Sequence, residues 1–180
     1  EVVSPIGSKS YEIGQLVVDS HAGMYVGQHF HRYPGSSETT LGAIKVGYQF
    51  ARSHDNESVA VNNWSKGDGV YDWTLFDKWA DMHAGKGAAA SKKLLIAFFG
   101  SPNWNSSAPA STNAYGVPGL TAPPRDLTAY TNMVFDVVNK YKARIFAVEC
   151  WNEADITGFF AGDPNQLADI CKAIHVATKA

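Results

Sequence analysis

Trp151, Asn152 and Glu153 are the residues whose types and order point most directly to chemistry. They follow residues 145–148, an apolar run typical of a strand buried on both faces. Polar side chains directly after such a strand lie at its carboxyl end, where parallel α/β sheets and barrels bind ligands. A carboxylic acid half shielded there by an indole can donate a proton near neutral pH, as glycosidic-bond cleavage requires. The alternative is a solvated loop glutamate, because short motifs are weak on their own.

The elements that position this triplet alternate between strands and helices. Apolar runs predict four core strands, and apolar residues at three- and four-residue spacing predict the helices between them. This alternation is typical of a parallel sheet, so the predicted fold class is α/β. A further short strand or hairpin arm is predicted at 11–19. The predicted strands are 23–31, 45–51, 92–99 and 145–148, and the predicted helices are 38–44, 72–84, 126–142 and one that opens at 163.

Helix starts carry the clearest local signals. Asp72 and Asp126 stand where an N-cap side chain would accept the first free backbone N–H groups. Asp163 precedes Pro164 and is followed by Gln166, a variant of the capping box with proline in the first turn. The run Lys-Gly-Asp-Gly at 66–69 predicts a turn.

Composition excludes several functional classes. The net charge of −2 gives no electrostatic reason to bind nucleic acid or an anionic membrane. No apolar run approaches the roughly 20 residues that a membrane span needs. No His, Asp, Glu or Cys cluster has the spacing of metal ligands, so we expect no metal and no cofactor. The 45% hydrophobic content indicates a globular domain with a real core.

Two cysteines are too few for a disulfide framework. Cys150 falls in the predicted strand and Cys171 in the following helix. We predict two buried free thiols, with a bridge between them as the alternative. Low charge, many aromatic residues and Ser/Asn/Gly-rich loops favour a secreted or periplasmic carbohydrate-active protein, any targeting segment having been removed or not included. The glycosylation acceptor sequences begin at Asn56, Asn63 and Asn105.

Six motifs in register resemble glycoside hydrolase clan A, closest to family 39 and its relatives. The acid/base strand of that clan ends in Trp-Asn-Glu, as residues 146–153 do here, and the resemblance covers residues 23–179. The other motifs are Val-Tyr-Asp-Trp at 70–73, Gly-Ser-Pro-Asn-Trp at 100–104, Tyr-Gly-Val-Pro-Gly at 115–119, Ala-Pro-Pro-Arg-Asp-Leu at 122–127 and Lys-Tyr-Lys-Ala-Arg-Ile at 140–145.

The resemblance implies a (β/α)8 barrel of the TIM type, of which this chain supplies about the first four βα units. Residues 1–22 would lead into the barrel and residues 23–180 would form its N-terminal half. A complete barrel needs eight units and about 250 residues. The implied activity is retaining hydrolysis of O-glycosidic bonds in oligo- or polysaccharide, and the isolated chain is expected to be inactive.

The resemblance also implies roles for named residues. Glu153 would be the general acid and then the base, Asn152 would bind the substrate 2-hydroxyl, and Arg52 would hold the nucleophile ionised. The alternative for Arg52 is a surface salt bridge. Residues predicted to line the sugar site are His31, His54, Asp55, Trp104, Tyr115 and Trp151. For Trp104 and Tyr115 the alternative is that they pin a long loop, 100–124, to the sheet.

Two departures from the clan pattern limit the resemblance. The nucleophilic glutamate at the end of the seventh strand has no match, and Glu149 lies on the acid/base strand itself, so it is predicted to pair with Arg52 instead. The Pro-Asn expected after the acid/base is replaced by Ala154 and Asp155. Asp55 is an unsupported candidate base for an inverting reaction. The alternatives are a carbohydrate-binding pseudoenzyme and a structural half-barrel that assembles with the missing half or with itself.

Overall fold

The computed structural model describes residues 27–29, 50–54, 58–84, 93–112 and 116–180. Several predictions lie outside these residues. They are the leading strand at 11–19, the helix at 38–44 and the candidate sugar-binding residues His31, Asp55 and Tyr115.

Strands and helices alternate along the described chain. The strands are β1 (Gly27–His29), β2 (Phe50–Ser53), β3 (Ser65–Gly67), β4 (Val70–Tyr71), β5 (Lys93–Phe98) and β6 (Ile145–Cys150). The helices are α1 (Val61–Trp64), α2 (Thr74–Ala84), α3 (Leu127–Tyr141) and α4 (Pro164–Lys179), and a 3₁₀ turn spans Asn103–Asn105. No helix in the described part of the chain has the length and apolar character to cross a bilayer.

The main sheet is parallel, with strand order β1-β2-β5-β6. The strands of this sheet keep their chain order, and the described residues place helices between β2 and β5 and between β5 and β6, as the predicted α/β class requires. The described residues contain four strands of this sheet and no complete barrel.

Burial on both faces was predicted for β5 and β6, and it is wrong. Along β5, Leu94, Ile96 and Phe98 are buried against the helices, while the residues between them are half-buried. Phe146 of β6 is 43% exposed and stacks on Phe50 of β2. Phe50 and Phe146 lie on the face of the sheet opposite the helices, here called the open face, and solvent reaches the described part of this face at Phe146.

The predicted helix starts at Asp126 and Asp163 are confirmed, whereas α2 begins at Thr74, one residue later than an N-cap at Asp72 would give. Asp126 accepts hydrogen bonds from the N–H groups of Thr128 and Ala129 at 2.8 and 3.0 Å. Asp163 and Gln166 form a reciprocal capping box at the start of α4, with Pro164 in the first turn. Asp72 accepts from Thr74 N–H at 3.0 Å. Side chains thus satisfy backbone donors that lack partners in the first helical turn.

Residues 58–69, which end in the predicted turn at 66–69, hold α1 and the first strand of a small hairpin. Strands β3 and β4 pair in antiparallel fashion around the predicted turn, where Gly69 has a φ of 66°. Trp64 lies buried beneath this hairpin, stacked on Trp73 with centroids 5.4 Å apart and edge-on to Phe76. The hairpin therefore covers one end of the aromatic core between α2 and α3.

The prediction of two free thiols is wrong, because Cys150 and Cys171 form a disulfide. Cys150 pairs with Phe98 across the sheet, so its side chain lies on the helix-covered side of β6. The Cα atoms are 5.2 Å apart, within the range that a disulfide requires. Spacing in the sequence shows which elements carry the cysteines but not how closely α4 packs on β6.

Removing this disulfide should lower the free energy of unfolding by about 3 kcal/mol, the loop-closure contribution expected for a separation of 21 residues. Guanidinium unfolding of a variant with both Cys150→Ala and Cys171→Ala would measure the loss. A reducing agent should destabilise the wild type to a similar extent and leave the double variant unchanged. Equal stability of oxidised and reduced wild type would contradict the prediction.

A second stability prediction concerns Tyr141, whose hydroxyl donates to Asp77 at 2.8 Å and joins α3 to α2. Burial, followed by the hydrogen bond to Asp77, raises the pKa of Tyr141 well above its ordinary value of 10.0. The unfolded chain therefore loses this proton at a lower pH than the folded chain. The stabilising contribution is complete below about pH 10 and is lost as the pH rises from there towards the folded pKa.

Tyr141→Phe should lower stability at pH 7 by about 1 kcal/mol, since one hydrogen bond is lost while Lys140 stays beside Asp77 at 3.2 Å. The variant should also lose less stability than the wild type between pH 9.5 and 11. Urea unfolding at three pH values in that window provides the comparison. Parallel pH profiles for the two proteins would show that Tyr141 is not responsible.

Candidate functional site

The candidate site lies at the carboxyl ends of β2 and β6. Asn152 and Glu153 follow Trp151, the first residue after β6. Arg52 lies inside β2, which extends two residues beyond its predicted end at 51. Its neighbours Ala51 and Ser53 are buried on the helix side. Strand alternation therefore places the Arg52 side chain on the open face. Glu149 shares that face, where it pairs with Ala97 of β5 one residue before β6 ends at Cys150.

The guanidinium of Arg52 links the two strand ends. Its Nε donates to Glu149 Oε2 at 2.6 Å, and its Nη2 forms a second hydrogen bond with Glu149 Oε1. The same Nη2 donates to Asn152 Oδ1 at 2.8 Å. The predicted pairing of Glu149 with Arg52 is therefore confirmed. Such a two-point contact fixes orientation as well as distance.

Arg52 also decides which way the Asn152 amide points. A guanidinium only donates hydrogen bonds, so the amide oxygen must face it. The amide nitrogen then faces Glu153 and donates to its Oε2 at 2.9 Å. Asn152 is buried and Glu153 is exposed. One continuous polar chain thus runs from Glu149 through Arg52 and Asn152 to a carboxylate that solvent can reach.

The backbone of the triplet adopts an unusual conformation. Trp151 has a φ of 59° and Glu153 a φ of 47°, the only positive values among the non-glycine residues that the structure describes. Non-glycine residues in this region carry a cost and persist where neighbouring contacts hold them, often at functional sites. Here Trp151 N–H donates to Phe98 O at 3.3 Å, and Ile156 N–H donates to Glu153 O at 3.0 Å.

Two predicted sugar contacts, Trp151 and His54, occupy buried positions. Trp151 is 1% exposed, its indole N–H donates to Phe159 O at 2.9 Å, and its ring packs edge-on against Phe160. The imidazole of His54 is also buried, with its centre 5.3 Å from the Phe99 ring. Neither ring presents a face to a ligand in the described structure. Trp151 instead supports the turn that carries Asn152 and Glu153.

Trp104 lies in a different group of contacts, away from the polar chain. Its indole N–H donates to Ser65 Oγ of β3 at 3.0 Å. In the described parts of the loop predicted at 100–124, residues 100–112 and 116–124, local structure comes from the 3₁₀ turn and from isolated bridges between Ser106 and Pro124 and between Thr112 and Pro118. Asn62 joins the loop to α1 by accepting from Asn103 N–H at 2.6 Å. No sequence pattern singled out this asparagine, because one amide in a polar run has no diagnostic spacing.

Among the residues that the structure describes, no three His, Cys, Asp or Glu side chains are grouped so that they could hold a metal ion. The candidate site itself presents carboxyl, amide and guanidinium groups.

Comparison with known proteins yields structural matches alone. No family model matches the sequence, and no curated protein matches it. The fold is similar to that of a monomeric β-xylosidase from Caulobacter crescentus CB15, with a TM-score of 0.63, 21% identity, and coverage of 86% of this chain and 33% of that one. It is similar to the GH39 enzyme from Xanthomonas axonopodis pv. citri, with a TM-score of 0.58, 20% identity, and coverage of 84% and 33%.

A third match is the GH10 xylanase of Thermobacillus composti, with a TM-score of 0.54, 18% identity, and coverage of 86% of this chain and 44% of that one. The chain spans less than half the length of each of these three proteins. At these identities the matches show a shared fold.

Replacing Arg52 tests whether it orders the polar chain. Arg52→Ala should lower the free energy of unfolding by about 2 kcal/mol, the scale of hydrogen bonds to a charged group. Adding Glu149→Ala should cost much less in that background than in the wild type, because the two residues share one interaction. Denaturant unfolding of the four proteins measures the coupling, and strictly additive losses would contradict it.

Arg144→Ala provides a matched control. Arg144 donates to Asp81 at 2.7 Å in a similarly half-buried ion pair that joins α2 to the turn after α3. Its loss should reduce stability without moving the side-chain amide signals of Asn152 in an NMR spectrum. Arg52→Ala should move those signals, because the amide loses the donor that fixes its orientation.

Proposed function

We propose that this chain forms part of a retaining glycoside hydrolase barrel in which Glu153 is the general acid and then the base. The observation that supports this most strongly is the polar chain at the carboxyl edge of the sheet, where Arg52 orients Asn152 and Asn152 donates to Glu153. An exposed carboxyl held by an oriented amide, at the edge where parallel sheets bind ligands, suits proton transfer to a bound substrate.

The proposed barrel would have this sheet as its first half. Strand order follows chain order without a break, as in one half of a (β/α)8 barrel. Further strands would come from additional sequence or from a partner chain. Similarity to proteins named as a β-xylosidase and as a xylanase supports this arrangement, since this chain spans less than half of each.

In the proposed mechanism, protonated Glu153 gives its proton to the oxygen of the leaving sugar as the glycosidic C–O bond breaks. A nucleophilic carboxylate bonds to the anomeric carbon, and Glu153, now a carboxylate, accepts a proton from the water that releases the sugar. The two carboxyl groups must lie about 5–5.5 Å apart. We place the nucleophile on the seventh strand, outside this chain, where Arg52 would approach it.

Asn152 has a second amide hydrogen besides the one donated to Glu153, and we assign that hydrogen to a substrate hydroxyl. The substrate class that fits is a neutral β-linked oligo- or polysaccharide, with xylose-based chains as the first to test. The disulfide supports a secreted or periplasmic location, because such bonds persist in oxidising compartments.

A second candidate is a carbohydrate-binding protein without hydrolytic activity. It is favoured by the state of Glu149, the carboxylate on the same strand as the acid/base, because Arg52 engages both of its oxygens. Glu149 is therefore not placed to act as a nucleophile. For the same reason the 180-residue chain alone should show no turnover.

Glu153→Gln tests the assignment in the protein with its complete barrel. The amide is nearly isosteric, so the fold should persist while kcat on an unactivated glycoside falls by about 10²–10⁴-fold, the usual contribution of general acid catalysis. A substrate with a very good leaving group should lose far less in its first step. Added azide should partly restore turnover, because it attacks the glycosyl-enzyme without a base.

Asp155→Asn is the matched control, since Asp155 is an exposed carboxylate two residues further along the same turn. It should retain activity on both kinds of substrate. Equal activity of Glu153→Gln and wild type on the unactivated glycoside would refute the role of Glu153. Binding of oligosaccharide without any turnover by the wild-type barrel would favour the second candidate.

A further inference from the structure

We propose a second carbohydrate-binding site in an open groove beside the hairpin, resting on the proposed carbohydrate specificity of the chain. The groove has a volume of about 620 Å³ and lies between the β3 region and the loop that follows β5. It is lined by Asn62, Ser65 and Lys66 on one side and by Trp104, Val117 and Pro118 on the other. None of Arg52, Asn152 and Glu153 lines it, so it is separate from the polar chain.

Internal hydrogen bonds fix the walls of the groove. Asn62 accepts from Asn103 N–H at 2.6 Å and donates through Nδ2 to Pro118 O at 3.3 Å, so one side chain ties α1 to both parts of the loop. The carbonyl of Trp104 accepts from Arg125 Nη2 at 3.1 Å. Walls that are positioned before binding reduce the ordering cost that a ligand must overcome.

Close packing around Gly119 strengthens this framework. Gly119 has a φ of 72°, and a Cβ there would lie 2.9 Å from Asn103 Oδ1 and 3.0 Å from Ser106 Cβ. Ser106 Oγ donates to Gly119 O at 2.7 Å. The chain that carries Val117 and Pro118 is therefore held against the 3₁₀ turn that carries Trp104.

The chemistry of the lining fits a neutral sugar chain. The one polar atom of the Trp104 indole is already bonded to Ser65, so the half-buried ring offers aromatic surface to a ligand. Aromatic and apolar walls with a few fixed polar groups are typical of small-molecule sites, and the C–H faces of sugars pack against such rings. Lys66 uses one ammonium hydrogen on Asn62 O at 2.9 Å and has two more to donate to hydroxyls.

Charge distinguishes a neutral oligosaccharide from a polyanion. Lys66 is the one charged residue in the described lining, and Asp68 follows it in the adjacent turn. A phosphate- or sulfate-rich ligand would require several cations. The groove therefore fits part of a neutral chain whose other units extend beyond it.

Calorimetric titration of the 180-residue chain carrying Glu153→Gln with xylohexaose and cellohexaose tests this site without catalysis. Trp104→Ala in that background should weaken binding of the preferred hexasaccharide about 10-fold or more, the scale of losing an aromatic anchor at a binding hot spot. Phe135→Ala removes an exposed aromatic on α3 and should leave affinity unchanged. Thermal unfolding of both variants shows that each is folded.

An NMR titration locates the binding site independently. The indole N–H signal of Trp104 should shift on addition of sugar, and that of Trp79, a fully buried residue of α2, should not. Lys66→Ala should weaken binding to a smaller extent than Trp104→Ala. The proposed binding site would be wrong if folded Trp104→Ala bound the hexasaccharide with unchanged affinity. It would also be wrong if neither xylohexaose nor cellohexaose bound. The role of Glu153 is refuted by a different measurement, which is retention of wild-type turnover by Glu153→Gln in the complete barrel.

Discussion

The contact on which the site depends is the one between the Arg52 guanidinium and the two side chains that it orients. The guanidinium can only donate hydrogen bonds. It therefore holds the Glu149 carboxylate on the open face and turns the oxygen of the Asn152 amide towards itself, so that the amide nitrogen faces Glu153. The contacts join residues 97 and 100 positions apart in the sequence, so they exist only when the sheet has its observed strand order. Fold and site are therefore established together.

A second constraint acts on the backbone of the triplet. The left-handed conformations of Trp151 and Glu153 are unfavourable for non-glycine residues, and the surrounding contacts hold them. The buried Trp151 ring anchors the turn from below, and the disulfide immediately before it ties β6 to α4. The carboxylate is thus presented by a supported turn, as accurate positioning of a reacting group requires.

Local sequence signals predicted the elements well and their surroundings less well. Caps at Asp126 and Asp163 act over three residues, so the sequence contains all the information that they need. Arg52 and Glu149 could be paired because the carboxyl ends of all strands of a parallel sheet lie at the same edge, although β5 separates their two strands. The burial of Trp151, the disulfide and the bridging role of Asn62 depend on how helices, strands and loops pack together. Residue spacing along the chain does not show which residues this packing brings into contact. The prediction that β6 is buried on both faces was wrong because an apolar run of sequence does not show whether the second face of its strand is covered.

The open face has two layers with different chemistry. Phe50 and Phe146 stack on it with ring centres 5.5 Å apart, and Arg52 and Glu149 lie further along the same strands. Any segment that covers this face must place apolar groups over the phenyl rings and polar groups over the ion pair further along the strands. A covering sheet displaced by two residues along the strand axis would set apolar groups against the guanidinium and carboxylate and leave polar groups over the phenyl rings. The order of these layers therefore sets the one register in which a covering sheet would match both of them.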